Sequence, residues 1–393
     1  MPQLKLKKNE ERRLLSGHQW IFSNEIEFME GEPKNGEVVE LFSYSNNFLG
    51  KGFYNKNSLI AYRQLTNKDE EINKAFIFKR MSLANSLRKR IYPERNTYRL
   101  INSESDYLPG LIIDKFDNKF SFQIFSFGMN EYRDIISELL KENFKAELIV
   151  EKNNNELRTL EGLDKTEEIL YSFKDPADES FKCKIDEIIY DMDLLKGQKT
   201  GFYLDQCESR VLLRKYIKPD YKVLDLFCNE GGFALNAAFA GAEDVTGVDS
   251  SEHSINTSVK NAALNKLEKI NFICKDVFEH LNELFQTKER YDVIIVDPPS
   301  FAKSKKNLFP ALKGYQELNY KAMRLLKPNS ILCTFSCSHH VSEKHFEEML
   351  IKSASEAKRK IQIIEFRNCT FDHPVLPQMP ETKYLKGYFL RVL

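Results

Sequence analysis

Val223-Leu-Asp-Leu-Phe-Cys-Asn-Glu-Gly-Gly-Phe-Ala234 runs from a short apolar stretch through a glycine pair into a helix-forming segment, and its reading decides the fold. An apolar run of this length fits a strand buried on both faces. Gly231 and Gly232 turn the chain and let backbone approach a ligand, and the helix start that follows offers free amides. Any tight strand-to-helix connection can use such a pair, so its surroundings must decide. Downstream the alternation repeats. Strands are expected at 222–227, 244–248, 270–274, 291–296 and 330–334 with helical stretches between them, then at 361–366 and 384–392 joined by a long loop. This is the pattern of an α/β, Rossmann-like, mostly parallel sheet with a hairpin at one edge.

Acids recur where those strands end. Asp225 lies in the first, Asp249 follows the second, Asp276 the third and Asp297 the fourth. Ligands of open α/β sheets sit at the carboxyl ends of the strands, so these side chains converge on one crevice, with Asp249 placed for ribose hydroxyls and Asp276 for an adenine amino group. A nicotinamide dinucleotide would require three glycines at fixed spacing to dock its pyrophosphate, and that spacing is absent. Glu230 would also repel it. S-adenosylmethionine carries a sulfonium cation and no phosphate, so an acid-rich pocket suits it.

Asp297-Pro-Pro-Ser-Phe-Ala-Lys303 follows the fourth strand, where a donor methyl group would emerge. Asp297 is suited to a ring nitrogen or amine, Pro298 fixes an exposed carbonyl, Phe301 offers a stacking face, and Lys303 and His339 line the expected substrate entrance. An ordinary Asp-Pro turn is the plainer alternative. The next strand delivers Cys333-Thr-Phe-Ser-Cys337-Ser-His-His340. Strand geometry puts both cysteines on one face, with Cys333 inside and Cys337 at the carboxyl end. Carbon 5 of cytosine becomes nucleophilic once a thiolate adds to carbon 6, which gives Cys337 a chemical role. A buried inert thiol is the alternative. The spacing of these cysteines and histidines does not match a zinc pattern, and no metal is expected.

At 393 residues the chain exceeds one ordinary core. The first 65 or so residues alternate short apolar runs with Gly, Asn and Ser turns, as in a small β-rich domain. A helix follows, with Ile77, Met81, Ala84, Leu87 and Ile91 on its apolar stripe and Arg80, Arg88, Lys89 and Arg90 elsewhere. Strands at 111–114, 120–127 and 146–151 and a helix at 132–141 suggest an α+β region that ends in a polar linker at 174–182. Lys and Arg together number 58, as do Asp and Glu, so a nucleic-acid partner would have to use local basic clusters at 5–13, 79–95 and 303–306. The seven cysteines are scattered, which favours reduced thiols. Apolar runs stay shorter than the roughly 20 residues of a membrane helix, so a cytoplasmic protein is expected.

Several segments together resemble the PUA-domain-containing class I methyltransferases that form 5-methylcytosine in large-subunit ribosomal RNA. These are Glu11-Arg-Arg-Leu-Leu-Ser-Gly-His-Gln-Trp-Ile-Phe22, Asp106-Tyr-Leu-Pro-Gly-Leu-Ile-Ile-Asp-Lys115, Lys196-Gly-Gln-Lys-Thr-Gly-Phe-Tyr-Leu-Asp-Gln206, Asp297-Pro-Pro-Ser-Phe-Ala-Lys303, Phe335-Ser-Cys-Ser338 and Asp372-His-Pro-Val375. The resemblance spans nearly the whole chain. It implies a PUA-like RNA-binding barrel over 1–72, an α+β connecting domain over 73–182 and a methyltransferase domain over 183–393. Thr200, Phe202, Asp205, Asp225, Asn229, Gly231, Gly232, Asp249, Ser250, Asp276, Val277 and Asp297 are then expected at the cofactor. Cys337 is implied as nucleophile, Asp297 as the group steadying the cytosine, ribosomal RNA as partner and a homodimer as assembly. Cys207 stands where the family usually has arginine, and Cys228-Asn-Glu230 where it usually has Ser-Tyr-Thr. Two other readings compete: methylation of an exocyclic amine, which needs no thiol, and a non-catalytic RNA-binding assembly protein.

Overall fold

The computed structural model describes residues 1–174, 180–302 and 304–393. They divide into two compact units. The first comprises Met1–Cys183, Met192–Leu204 and Phe371–Thr382; the second comprises Lys184–Asp191, Asp205–Thr370 and Lys383–Leu393. Most of the linker expected at 174–182 lies outside the described residues.

The first unit opens with a sheet of β1 (Gln3–Leu6), β2 (Trp20–Ile21), β3 (Ile26–Glu30), β4 (Val38–Phe42), β5 (Phe48–Tyr54) and β6 (Tyr62–Thr66), in the order β2-β6-β5-β4-β1-β3. Alternate residues Leu4, Leu6, Val39 and Leu41 point to one face and are closed off with Tyr54 and Tyr62, as period-two strands with one buried side require. A second sheet, β7 (Thr97–Asn102), β8 (Leu111–Phe116), β9 (Lys119–Ile124), β10 (Leu148–Lys152) and β11 (Glu167–Ser172), runs in the order β11-β10-β9-β8-β7. Helices Lys74–Ile91 and Arg133–Phe144 lay Ile77, Met81, Ala84, Ile136, Leu139 and Leu140 against it.

The stripe expected on the helix Lys74–Ile91 is corrected at two positions. Leu87 is exposed, whereas Arg88 is fully buried. Arg88 stays inside because its donors are met: Nη1 and Nη2 reach the Asp106 carboxylate at 2.6 and 2.7 Å, and Nε donates to the Arg99 carbonyl at 2.9 Å. Nη2 also donates to the Asp372 carbonyl at 2.7 Å, and Asp372 Oδ2 accepts the Arg99 amide at 2.6 Å. The Asp372-His-Pro-Val segment therefore belongs to the framework of the first unit.

A hairpin of β12 (Ser180–Ile185) and β13 (Ile188–Asp193) precedes the main sheet. That sheet contains β14 (Lys222–Leu226), β15 (Asp244–Asp249), β16 (Ile270–Cys274), β17 (Tyr291–Val296), β18 (Leu326–Ser336), β19 (Ile361–Arg367) and β20 (Lys386–Val392), in the order β16-β15-β14-β17-β18-β20-β19. Strands β14 to β18 are parallel, and β20 runs antiparallel to both β18 and β19. Leu224, Leu226, Ile294, Val296 and Leu332 face the helices Leu308–Leu325 and Glu343–Glu356. Their neighbours Val223, Val293, Ile295, Cys333 and Phe335 face the helix Gly232–Phe239. Burial on both faces explains why these strands read as unbroken apolar runs.

Removing one partner of the Arg88–Asp106 pair strands a buried charge. Arg88→Ala is expected to cost about 3–5 kcal/mol in urea unfolding, while the double variant Arg88→Met/Asp106→Leu recovers most of that loss. Equal stability of the two variants would refute this assignment of the buried charge.

Candidate functional site

The strand order reverses at β14, which pairs with β15 on one side and β17 on the other. Connecting helices leave such a switch point in opposite directions and open a crevice beyond the carboxyl ends of the two strands. Asp225 and Asp297 stand at that edge. Asp225 is fully buried; its Oδ2 accepts the Ala234 amide at 2.8 Å, and among the described residues its Oδ1 has no hydrogen-bond partner. Burial pushes its carboxyl up to about 8; Asp297 and Asp249 act in the same direction, against the Ala234 amide and Arg210.

The turn after β14 winds through positive φ at Phe227 (62°), Asn229 (46°) and Gly231 (81°). Such values are costly for a residue as bulky as Phe227 and persist only where neighbours enforce them. Here Asp249 does part of that work: its Oδ2 accepts the Asn229 amide at 3.0 Å, while its Oδ1 is held by the Ser251 amide of its own loop at 2.9 Å. Asn229 Oδ1 in turn accepts the Ser254 hydroxyl at 3.2 Å. Glu230, expected as a charge at the pocket, is buried instead, and burial pushes its carboxyl up to about 7.

Arg210 was not anticipated. It sits on the short helix Cys207–Leu213 and its guanidinium packs against Gly232, where an added Cβ would lie 2.5 Å from Nε and 2.8 Å from Cζ. Gly232 thus lacks a side chain to admit another part of the same unit, not only to admit a ligand. Burial opposes the charge on Arg210, but Cys207, Tyr190, Asp205 and Asp297 hold it protonated. Gln206 was missed as well; its Nε2 donates to Asp297 Oδ1 at 3.2 Å. Both residues lie in or just beyond the 196–206 stretch, which is the only hint the sequence offered.

The remaining expected residues divide. Asp205 is buried and accepts the Tyr384 hydroxyl at 2.6 Å. Asp276 is exposed and caps the helix Val277–Leu284 through the Glu279 amide at 3.1 Å, while Val277 is buried in the core and Ser250 is exposed. Thr200 and Phe202 belong to the first unit, where the buried Thr200 hydroxyl donates to Asp114. Pro298 is buried, and half-buried Phe301 packs on Tyr315 at 4.8 Å and on Phe278, so its ring anchors the loop to the core. Lys303 lies outside the described residues. His339 is exposed against the Tyr384 ring at 5.4 Å.

Cys333, Phe335 and Cys337 share the face expected for alternate strand residues. Cys333 is fully buried, which raises its thiol well above the ordinary value; Cys337 is half-buried, with Sγ 3.8 Å from the Pro298 carbonyl. A hydroxyl network ties the two loops together. Ser338 Oγ lies 3.0 Å from both Ser300 Oγ and Tyr315 OH, and Ser336 Oγ donates to Tyr315 OH at 3.1 Å.

The residues fit a cationic, phosphate-free donor: among the described residues Asp225 Oδ1 is buried without a hydrogen-bond partner, acids gather at the switch point, and the Asn229 amide of the turn is engaged by Asp249 rather than aimed at a pyrophosphate. Sheet order and site together define a class I, S-adenosylmethionine-dependent methyltransferase that carries a PUA-like domain. Residues 4–67 match the family model for a PUA-like domain and residues 217–383 the model for a methyltransferase domain. Ribosomal RNA large subunit methyltransferase I of Tolumonas auensis is 36% identical over 393 residues, covering 99% of this chain and 98% of that protein. The protein of the same name from Vibrio parahaemolyticus is 37% identical over 394 residues, with coverage of 99% and 98%. The chain belongs to this ribosomal RNA large subunit methyltransferase I family. In fold it is similar to SMU.776, solved in complex with SAH, at a TM-score of 0.86 and 24% identity over 100% of both chains. Trm5b from Pyrococcus abyssi is more distant, at 0.53 and 18% identity over 71% of this chain and 74% of that one.

Two outcomes are expected of this geometry. Gly232→Ala drives a methyl group into the Arg210 guanidinium and should cost about 1–3 kcal/mol in urea unfolding, the usual penalty of overpacking. Asp225 keeps its proton in the folded state where the unfolded chain releases it. Its contribution to stability is therefore full below about pH 4 and is lost as pH rises towards about 8. Stability of Asp225→Asn, measured across that window, should fall less steeply with pH than that of the wild type.

Proposed function

We propose that the chain methylates carbon 5 of cytosine in large-subunit ribosomal RNA, with Cys337 as nucleophile and S-adenosylmethionine as donor. The observation that carries this reading is the half-buried Cys337 sulfur, 3.8 Å from the Pro298 carbonyl and so beside Asp297 at the carboxyl edge of the sheet. The substrate class follows the names of the relatives from Tolumonas auensis and Vibrio parahaemolyticus.

Asp205, Asp225, Asn229, Gly231, Gly232, Asp249, Ser250, Asp276, Val277 and Asp297 are the residues of the second unit that would hold the donor. When bound, the donor supplies an electrophilic methyl group for carbon 5. Asp297 holds the cytosine ring nitrogen, and its orientation is set by Gln206. The Cys337 thiolate then forms a bond to carbon 6, which pushes electron density to carbon 5. After methylation, removal of the carbon 5 proton lets the carbon–sulfur bond break and returns the thiolate. The Ser300–Ser338–Tyr315 network keeps the Asp297 loop in register with Cys337 while this happens.

Cys337→Ala is expected to bind S-adenosylmethionine in calorimetry with wild-type affinity yet to lose methylation of ribosomal RNA by at least about a thousandfold, the scale seen when an essential nucleophile is removed. Nucleoside analysis of RNA from deletion and complemented cells should show 5-methylcytidine only in the latter. A methylated exocyclic amine, with activity retained by Cys337→Ala, would instead establish the thiol-free reaction. Absence of donor binding by the wild type would leave a non-catalytic RNA-binding protein.

A further inference from the structure

Strand β20 begins at a lysine that the catalytic reading above does not use. Lys386 lies opposite Ser336 in the antiparallel ladder, so its side chain emerges beside the end of β18 that carries Cys337. It is only 4% exposed. Its ammonium donates at 2.6 Å to the Ser338 carbonyl and at 2.6 Å to the Tyr384 carbonyl. The residue opposite Lys386 is thus Ser336 and the residue it grips is Ser338, which brackets Cys337 from both sides. A lysine is seldom buried without a partner that needs its charge. Two backbone carbonyls satisfy hydrogen bonds but do not by themselves require a cation in place of an amide.

The surrounding charges indicate what does. Burial pulls the ammonium down to about 8; among the groups that act against this, Cys337 is the strongest, ahead of Cys369 and Glu343, while Lys383 adds to the lowering. The Tyr315 phenol, which meets the Ser336 and Ser338 hydroxyls, is kept neutral by burial and then by Cys337, pushed up to about 12. Glu343 is paired with Lys383. His339 is turned outward against the Tyr384 ring. Lys386 is therefore a buried cation held against the backbone that flanks Cys337, with its ammonium on the carbonyl of the next residue, Ser338.

We propose that Lys386 is a positioning residue that clamps the Ser336–Ser338 turn at the end of β18 and stabilises Cys337 as its thiolate. A thiolate beside an ammonium is more populated near neutral pH, and this raises the rate of any attack by the sulfur. The inference rests on Cys337 being the nucleophile, and its test uses neither RNA nor turnover, so the two can fail separately.

The experiment is alkylation of the full-length protein by iodoacetamide across pH, with the Cys337 peptide followed by mass spectrometry. Lys386→Met should shift the Cys337 profile to higher pH by about one unit, which is about a tenfold slower reaction at neutral pH. Lys386→Arg should restore most of the wild-type profile, whereas Lys386→Gln, which retains a donor for the Ser338 carbonyl but no charge, should behave like Lys386→Met. If Lys386→Met fails to fold, Lys386→Gln carries the test alone. Coincidence of the Lys386→Gln and wild-type profiles, or an equal shift in Lys386→Arg, would overturn the proposal. The exposed Cys274 serves as an internal reference whose profile should not move.

Discussion

The reversal of strand order at β14 is the constraint on which the rest of the second unit depends. Because β14 pairs with β15 on one side and β17 on the other, the chain must leave along opposite faces of the sheet, and no connection can cover the shared carboxyl edge. Asp225, Asp249 and Asp297 stand at that edge, although 72 residues of sequence separate the first from the last. Cys337 joins them because β18 pairs with β17 in parallel.

Gathering acids without water raises an electrostatic difficulty, and the fold meets it in two ways. Asp225 and Glu230 surrender charge, since burial favours their protonated forms. Arg210 supplies a permanent positive charge among the acids that remain, and it gains its place because Gly232 has no side chain. The same logic recurs in the first unit, where the fully buried Arg88 is tolerated because Asp106 and two backbone carbonyls meet its donors. Arg88 and Arg210 thus each depend on groups from other parts of the chain, Asp106 and Asp372 for the first, Tyr190 and Asp297 for the second.

Loops at the site are held by packing rather than by regular structure. Phe301 spends its ring on Tyr315, and the Tyr315 hydroxyl meets Ser336 and Ser338 on either side of Cys337. Local rigidity of this kind is what a covalent reaction needs, because a misplaced sulfur loses far more rate than a misplaced surface contact. Lys386 adds to this by holding the Ser338 carbonyl next to Cys337.

The sequence by itself determined the sheet. Short unbroken apolar runs such as Val223-Leu-Asp-Leu226 and Tyr291–Val296, alternating with helical stretches, are what strands buried on both faces require, so strand positions, the α/β class, the strand-end acids and the depths of Cys333 and Cys337 were all legible. The resemblance added the division into a PUA-like region and a methyltransferase region. Tertiary structure alone decided which charges are buried. Arg88 looked like a residue of the polar face, Glu230 like a repeller of pyrophosphate, Phe301 like a stacking platform; Arg210 was hinted at only by its place just beyond the 196–206 stretch, and Lys386 gave no signal. The reason is physical: apolar burial follows a local period, whereas a charge is buried only if partners from elsewhere in the chain meet it, and such partners carry no periodicity that a single segment could reveal.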